Sequence, residues 1–336
     1  MSNDLTLLLA GTNSATKEEF LRERLEQDWK IETWLPETDR AQLLELLPQA
    51  DAMVGGNVLG DWPATPKLRL YQIPFAGYNW ITPADLPAGL PFCNTYDHEV
   101  PIAEYIMLAM LDWQIGYAAT VQSFKTSGWQ DVGPGSGPLH GEVHGKTVGI
   151  VGYGHIGVEV ARRAEAFGMR TIGVARRARE TPAPLDWLGT MADLDRLLAE
   201  SDFILIACPQ TEETLGMIGE AQLAKMKPDG VIMNVARGPI IQEEALYSAL
   251  KEKRIGGAFI DVWYTYPADA DPAPVWPSRF PFQELENVRM TPHNSGWSEA
   301  LIQRRWQSVA DNLNRLSRGE KLNNLVFEGT GQNQGT

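Results

Sequence analysis

Three glycines at G-x-G-x-x-G spacing, Gly152, Gly154 and Gly157, are the residues whose type and spacing most directly imply chemistry. They lie in Thr147-Val-Gly-Ile-Val-Gly152-Tyr-Gly154-His-Ile-Gly157. The first glycine permits a tight turn, the second lets backbone approach a pyrophosphate, and the third lets helix and strand pack closely. Tyr153, His155 and Ile156 fall inside the same turn and are read with it as dinucleotide-binding. The competing reading is a Gly-rich turn in an ordinary α/β domain. Roughly 20 residues beyond such glycines, a carboxylate normally takes the ribose hydroxyl of NAD. Here the next strand ends in Ala175-Arg176-Arg177, with Arg179 just beyond and no acid. The planar fork of a guanidinium suits a phosphate. The reading is therefore the 2′-phosphate of NADP, with NAD still possible and a solvated basic turn as the alternative.

These residues need particular elements around them. Val148–Val151 is an apolar run that reads as a buried strand, and Val158–Phe167 reads as the helix whose N-terminus faces the phosphates. Further strands are expected at Thr171–Val174, Phe203–Ala207, Val231–Asn234, Ala258–Val262 and Val288–Thr291, with helices between them. Before the glycines, strands are expected at Leu5–Ala10, Ile31–Leu35, Ala52–Val54 and Leu68–Ile73. Helices are expected at Lys17–Gln27 and Asp39–Leu47, a βαβ rhythm that implies a second parallel sheet. Pro101 opens a long apolar helix, Ile102–Trp113. Ser127–Gly145 and Tyr264–Pro281 read as surface loops, and Ser298–Leu316 as a returning helix. The tail from Gly329 to Thr336 has the composition of a frayed end.

Length and composition bound the answer. A chain of 336 residues calls for two domains, and 43% hydrophobic with 21% charged residues fits a globular protein with ample core. The net charge of −14 argues against nucleic acid as a partner. No apolar run is long enough for a membrane span, and Met1-Ser-Asn-Asp lacks the basic start of a signal peptide. Cys93 and Cys208 form neither a disulfide framework nor a metal signature, so a cytoplasmic protein without metal is expected.

Three later segments place polar residues at or just past strand ends, the edge where open α/β sheets bind ligands. They are Met226-Lys-Pro-Asp-Gly-Val-Ile-Met-Asn234-Val-Ala-Arg237-Gly238, Gly257-Ala-Phe-Ile-Asp261-Val-Trp-Tyr-Thr-Tyr266-Pro267 and Met290-Thr-Pro292-His293-Asn-Ser-Gly296. Taken with the mid-chain glycines, this ordered set resembles the D-isomer-specific 2-hydroxyacid dehydrogenases. Phe75-Ala-Gly77-Tyr-Asn, Ile102-Ala-Glu104, Gly141-Glu-Val-His-Gly-Lys-Thr147 and Cys208-Pro-Gln-Thr-Glu-Glu-Thr214 extend the likeness over nearly the whole chain.

The resemblance implies two Rossmann-like, doubly wound parallel-sheet domains with an interdomain cleft, and usually a homodimer. The expected boundaries are 1–112 with 297–336 for the substrate domain, and 113–296 for the dinucleotide domain. The implied activity is hydride transfer between NADP(H) and a small 2-hydroxyacid or 2-oxoacid. Arg237 matches the family's substrate arginine, since a guanidinium can clamp a carboxylate and hold the adjacent carbonyl. His293 matches its acid/base histidine, since imidazolium can protonate the new alkoxide. A structural arginine and a strand-end histidine are the respective alternatives. The resemblance places Asp261 near the nicotinamide carboxamide, with a structural carboxylate left open. It places the backbone of Ala76 and Gly77 at the substrate carboxylate, against a simple turn. Cys208, Pro209, Thr214, Val235 and Ala236 are expected to touch the cofactor.

Two positions depart from the family. Its histidine normally pairs with a glutamate five residues after the Asp261 equivalent; here that residue is Tyr266, followed by Pro267. A glutamate would raise the histidine pKa, whereas a neutral phenol can hydrogen-bond the ring without supplying charge. His98 is the second departure, read as a substrate contact or as a local structural group. The region also resembles the formate dehydrogenase branch, which has an amide residue in place of the glutamate and a Thr-Pro-His-x-Ser-Gly segment like Thr291–Gly296. That branch carries an asparagine where His98 falls. A formate-type dehydrogenase and a non-catalytic dinucleotide sensor remain as alternatives. Phe75, Tyr78, Trp80, Trp263, Tyr264, Tyr266 and Trp297 suggest a substrate larger than glyoxylate, or simply core and interface packing.

Overall fold

The computed structural model describes residues 5–36, 40–56, 62–78, 80–130, 133, 135–267 and 275–331. Asn79, the tail beyond Gly331 and the middle of the 264–281 loop lie outside them. Contacts gather Met1–His98 with Ser298–Thr336 into one unit, and Glu99–Trp297 into a second.

The first unit is built on β1 (Leu5–Ala10), β2 (Trp29–Trp34), β3 (Ala52–Gly55), β4 (Leu70–Gln72) and β5 (Pro91–Cys93), all parallel. The second is built on β6 (Thr147–Val151), β7 (Arg170–Ala175), β8 (Trp187–Thr190), β9 (Phe203–Ile206), β10 (Val231–Asn234), β11 (Gly257–Ile260) and β12 (Val288–Met290). A final strand, β13 (Leu325–Glu328), joins the first sheet. The strand orders are β13-β5-β4-β3-β1-β2 and β12-β11-β10-β9-β6-β7-β8.

Alternation along the strands shows that both faces of each sheet are covered. Val151, Ile204, Ile206 and Ile260 pack in one core of the second unit, while Ile150, Phe203, Leu205 and Phe259 pack in another. In the first unit Leu8 and Met53 face one core, and Leu7, Leu9 and Val54 the other. Sheets covered twice read as continuous apolar runs, which is why these strands were legible.

Beyond the short strands β5 and β8, which the sequence expectation lacks, three elements differ from it. The boundary placed at 112/113 cuts the helix Glu99–Ile115, whose Ile102, Ala103, Ile106 and Met110 are buried with Val148, Ile150 and Val160 of the second unit. That packing assigns the helix to the second unit. Residues from Ser127 onward read as loop, but Tyr117–Ser127 is helical; its lack of a buried residue removed the periodic signal. The strand β13 lies antiparallel to β5, in a stretch whose four residues are too few to signal a strand. The doubly wound parallel plan therefore holds, with one antiparallel edge.

Candidate active site

In the second sheet the strand order reverses between β6 and β9, the switch point at which such sheets bind ligands. The glycine turn leaves β6 at that point. Gly152 has φ 98°, and a Cβ there would lie 2.5 Å from the backbone nitrogen of Cys208. Only glycine lets the turn close against the loop after β9. Gly154 is the opposite case: no atom stands within 4 Å of where its Cβ would be. It caps the helix His155–Ala166 without a side-chain hydrogen bond. Space is thus left where a side chain at Gly154 would stand, beside a helix N-terminus whose orphan N–H groups favour anions. At Gly157 a Cβ would meet Ile150 at 3.0 Å, the close helix–strand approach expected of the third glycine. Buried Tyr153 lies between, and His155 and Ile156 begin the helix.

β7 ends at Ala175, and Arg176 and Arg177 that follow are exposed. Among the described residues neither has a carboxylate partner. Arg179 is committed elsewhere: its Nη2 donates to the Tyr153 carbonyl at 2.7 Å and its guanidinium lies over the Tyr153 ring. Cys208 is buried, and burial pushes its thiol up to about 11, so it remains uncharged. The Thr214 hydroxyl donates to the Pro209 carbonyl at 2.7 Å and closes the turn after β9.

The loop after β10 carries Arg237. Asn234, the buried last residue of β10, accepts from Ala236 N–H at 3.1 Å and donates to the Arg237 carbonyl at 2.9 Å. Val235 is buried between them. A Cβ on Gly238 would lie 2.4 Å from the Trp263 carbonyl, so this loop packs against the one after β11.

The carboxylate of Asp261 is 1% exposed and turned toward the loop after β12. It accepts from Thr291 Oγ1 at 2.6 Å, Asn294 N–H at 3.0 Å, and both Ser295 N–H and Oγ. Through these bonds it clamps the loop that holds His293. Two further groups pin that loop: the Trp263 indole N–H donates to the Thr291 carbonyl at 2.8 Å, and Tyr105 donates to Thr291 Oγ1 at 2.6 Å. Held so, His293 sits at φ 58°, a left-handed conformation that a residue with a side chain rarely keeps without such restraint.

Tyr266 meets His293 as the residue spacing implied. Its hydroxyl lies 3.0 Å from His293 Nδ1 and accepts the Trp263 backbone N–H at 3.1 Å. Although His293 reaches the surface of its unit, the protein mass around it lowers its pKa below the usual 6.5; Asp261 opposes this and Arg237 adds to it. Burial raises the Tyr266 phenol, while the Trp263 N–H and Arg237 pull it down. Arg237, Tyr266 and His293 thus form one electrostatic cluster.

The remaining expected residues belong to the first unit. The Ala76 carbonyl accepts from Asn94 Nδ2 at 2.9 Å, and the Gly77 carbonyl from the Trp80 indole at 3.2 Å. Among the described residues no acceptor faces the N–H of Ala76 or Gly77, so this turn offers two donors. His98 stacks beside Tyr96, with ring centroids 6.4 Å apart. Sequence reasoning missed the positioning roles of Asn234, Thr291, Tyr105 and Trp263. An asparagine ending a strand two residues before Ala236 was the one local signal, an Asx-type turn.

A Gly-rich turn at a sheet's switch point, with an arginine and a histidine on the strand ends that flank β11, has the layout of a dinucleotide-binding enzyme site. The family profile described as "D-isomer specific 2-hydroxyacid dehydrogenase, NAD binding domain" matches residues 107–295. A glyoxylate reductase of Korarchaeum cryptofilum is 32% identical over 316 residues, 90% of this chain and 91% of the relative. A glyoxylate/hydroxypyruvate reductase B of Serratia proteamaculans is 34% identical over 315 residues, covering 91% and 94%. The chain belongs to the D-isomer-specific 2-hydroxyacid dehydrogenase family and is an NAD(P)-dependent oxidoreductase. The crystal structure of an NADPH-dependent glyoxylate/hydroxypyruvate reductase from Sinorhizobium meliloti, in complex with NADP and sulfate, has the same fold. Its TM-score is 0.75 at 23% identity, covering 96% of this chain and 98% of that one.

Proposed function

We propose that this chain catalyses the NADPH-linked reduction of a 2-oxoacid to its 2-hydroxyacid, and the reverse oxidation. The observation that carries the reading is the hydrogen-bonded Tyr266–His293 pair beside Arg237, on three adjacent strand ends. Arg237 binds the substrate carboxylate and the neighbouring carbonyl through its fork of donors. His293, as imidazolium, gives a proton to the carbonyl oxygen in reduction and recovers it in oxidation. Bound nicotinamide supplies the hydride. The turn from Gly152 to Gly157, with Cys208, Pro209, Val235 and Ala236, holds the cofactor. Thr214 shapes that wall, and Arg176 and Arg177 take the 2′-phosphate. The free N–H groups of Ala76 and Gly77 are proposed donors to the substrate carboxylate. His98 is a further substrate contact, and unchanged KM and kcat in His98→Ala would remove it.

We also propose a homodimer. The second unit exposes Leu108, Tyr117, Phe124, Trp129 and Leu139, the last 99% exposed, and such apolar surface favours association.

The test is a panel of 2-oxoacids assayed with NADPH and NADH in parallel at several pH values. Turnover with at least one 2-oxoacid is expected, faster with NADPH. NADPH binding without turnover of any would point to a sensing protein, and oxidation of formate alone to the formate-type reading.

A further inference from the structure

A hydroxyl can donate or accept; a carboxylate can only accept, and a backbone N–H can only donate. These rules limit where the protons can lie around His293. The Trp263 N–H donates to Tyr266 Oη, so one lone pair of that oxygen is occupied. The phenol has a single proton, and His293 Nδ1 stands 3.0 Å away. Among the described residues no other acceptor faces that proton. We propose that Tyr266 holds neutral His293 as the tautomer protonated on Nε2, so that the ring presents a hydrogen-bond donor to substrate whether or not it carries charge.

A glutamate in place of Tyr266 would impose the opposite arrangement. It would accept from Nδ1–H and leave a bare lone pair on Nε2 of the neutral ring. Facing a 2-oxoacid carbonyl, that lone pair repels, and docking then requires imidazolium. With the phenol, the donor persists in both states. On protonation Nδ1–H turns to donate to Oη, and the phenol proton rotates away. Asp261 and Arg237 are the charged groups felt by both rings, one favouring and one opposing imidazolium. Neither alters which nitrogen the phenol can address. Tyr266 acts through His293 and is in this sense a positioning residue.

The consequence for catalysis rests on the 2-oxoacid reading above, whereas the tautomer does not. Proton delivery still needs imidazolium, so kcat for reduction falls as pH rises through the His293 pKa. Docking of the carbonyl does not need it, so KM stays level over the same range.

Two measurements test this. Two-bond proton–nitrogen NMR on protein with ¹⁵N-labelled histidine, above the His293 pKa, reads the tautomer; His293→Gln assigns the signal. Expected are a protonated Nε2 and a hydrogen-bonded Nδ1. In Tyr266→Phe the Nδ1 signal should move to its unbonded position, and in Tyr266→Glu the proton should move to Nδ1. A wild-type ring protonated on Nδ1, or no response to either substitution, overturns the proposal. The second measurement is KM for a 2-oxoacid against pH, level in wild type and rising about tenfold per pH unit above the pKa in Tyr266→Glu. A parallel rise in wild type overturns the docking role. A protein that reduces no 2-oxoacid would refute the proposed function while leaving the tautomer to the NMR result.

Discussion

At the scale of single residues, the exchange of glutamate for Tyr266 is the informative departure. A histidine whose pKa lies below the ordinary value holds its imidazolium only at lower pH. Reduction, which consumes that proton, is therefore favoured on the acid side and declines as pH rises through the pKa. Restoring a carboxylate in Tyr266→Glu should raise the histidine pKa and carry the alkaline limb of kcat/KM upward by about one to two pH units. An unmoved limb in a pH–rate series would count against the His293–Tyr266 partnership. In the proposed reaction Arg237 holds the substrate by a charge-assisted, two-point contact. Arg237→Gln keeps polarity but loses the charge, and kcat/KM for a 2-oxoacid should fall by about 100-fold or more. Steady-state kinetics with a correctly folded variant checks it. Retained efficiency would move the carboxylate site elsewhere.

At the scale of elements, the loop after β12 is shaped by one buried carboxylate. Asp261 gathers donors from Thr291, Asn294 and Ser295, and so keeps His293 in a left-handed conformation. Asp261→Asn puts an amide among those donors, which cannot satisfy them all. The expected cost is about 2–4 kcal/mol, the range for breaking a buried charged network. Thermal unfolding should show a lower Tm, and kcat should drop more than KM rises because the ring loses its orientation. An unaltered Tm would show that the clamp is dispensable. The loop after β7 belongs to this scale too. Since Arg179 is tied to the Tyr153 carbonyl, the proposed recognition of the 2′-phosphate falls to Arg176 and Arg177. Replacing both by Ser should lower kcat/KM with NADPH by about 100-fold relative to NADH, roughly tenfold for each charged hydrogen bond lost. An unchanged cofactor ratio would leave the basic turn as mere surface.

At the scale of the whole molecule, each unit closes its own sheet with two cores, and the chain passes between units only twice. The second unit exposes large apolar side chains between Leu108 and Leu139. Phe124 and Trp129 pack edge to face there, with centroids 4.9 Å apart. If this face joins two copies, Trp129→Ser combined with Leu139→Ser should shift sedimentation from dimer to monomer at micromolar concentration without unfolding the units. A monomeric wild type would end the proposal.

The sequence alone determined the two-unit plan, the Gly-rich turn, and which strand ends carry Arg237, Tyr266 and His293. Those features are local: strands buried on both faces read as apolar runs, and glycine spacing reports a backbone requirement at three positions. The tertiary structure decided matters that depend on partners far apart in the chain. It gave the long helix to the second unit because its apolar side chains meet β6. It showed that Asp261 clamps a loop some thirty residues away. It also showed that the Tyr266 hydroxyl already accepts the Trp263 N–H. No spacing rule announces which end of a hydrogen bond is occupied, because direction follows from the three-dimensional placement of single-purpose donors and acceptors.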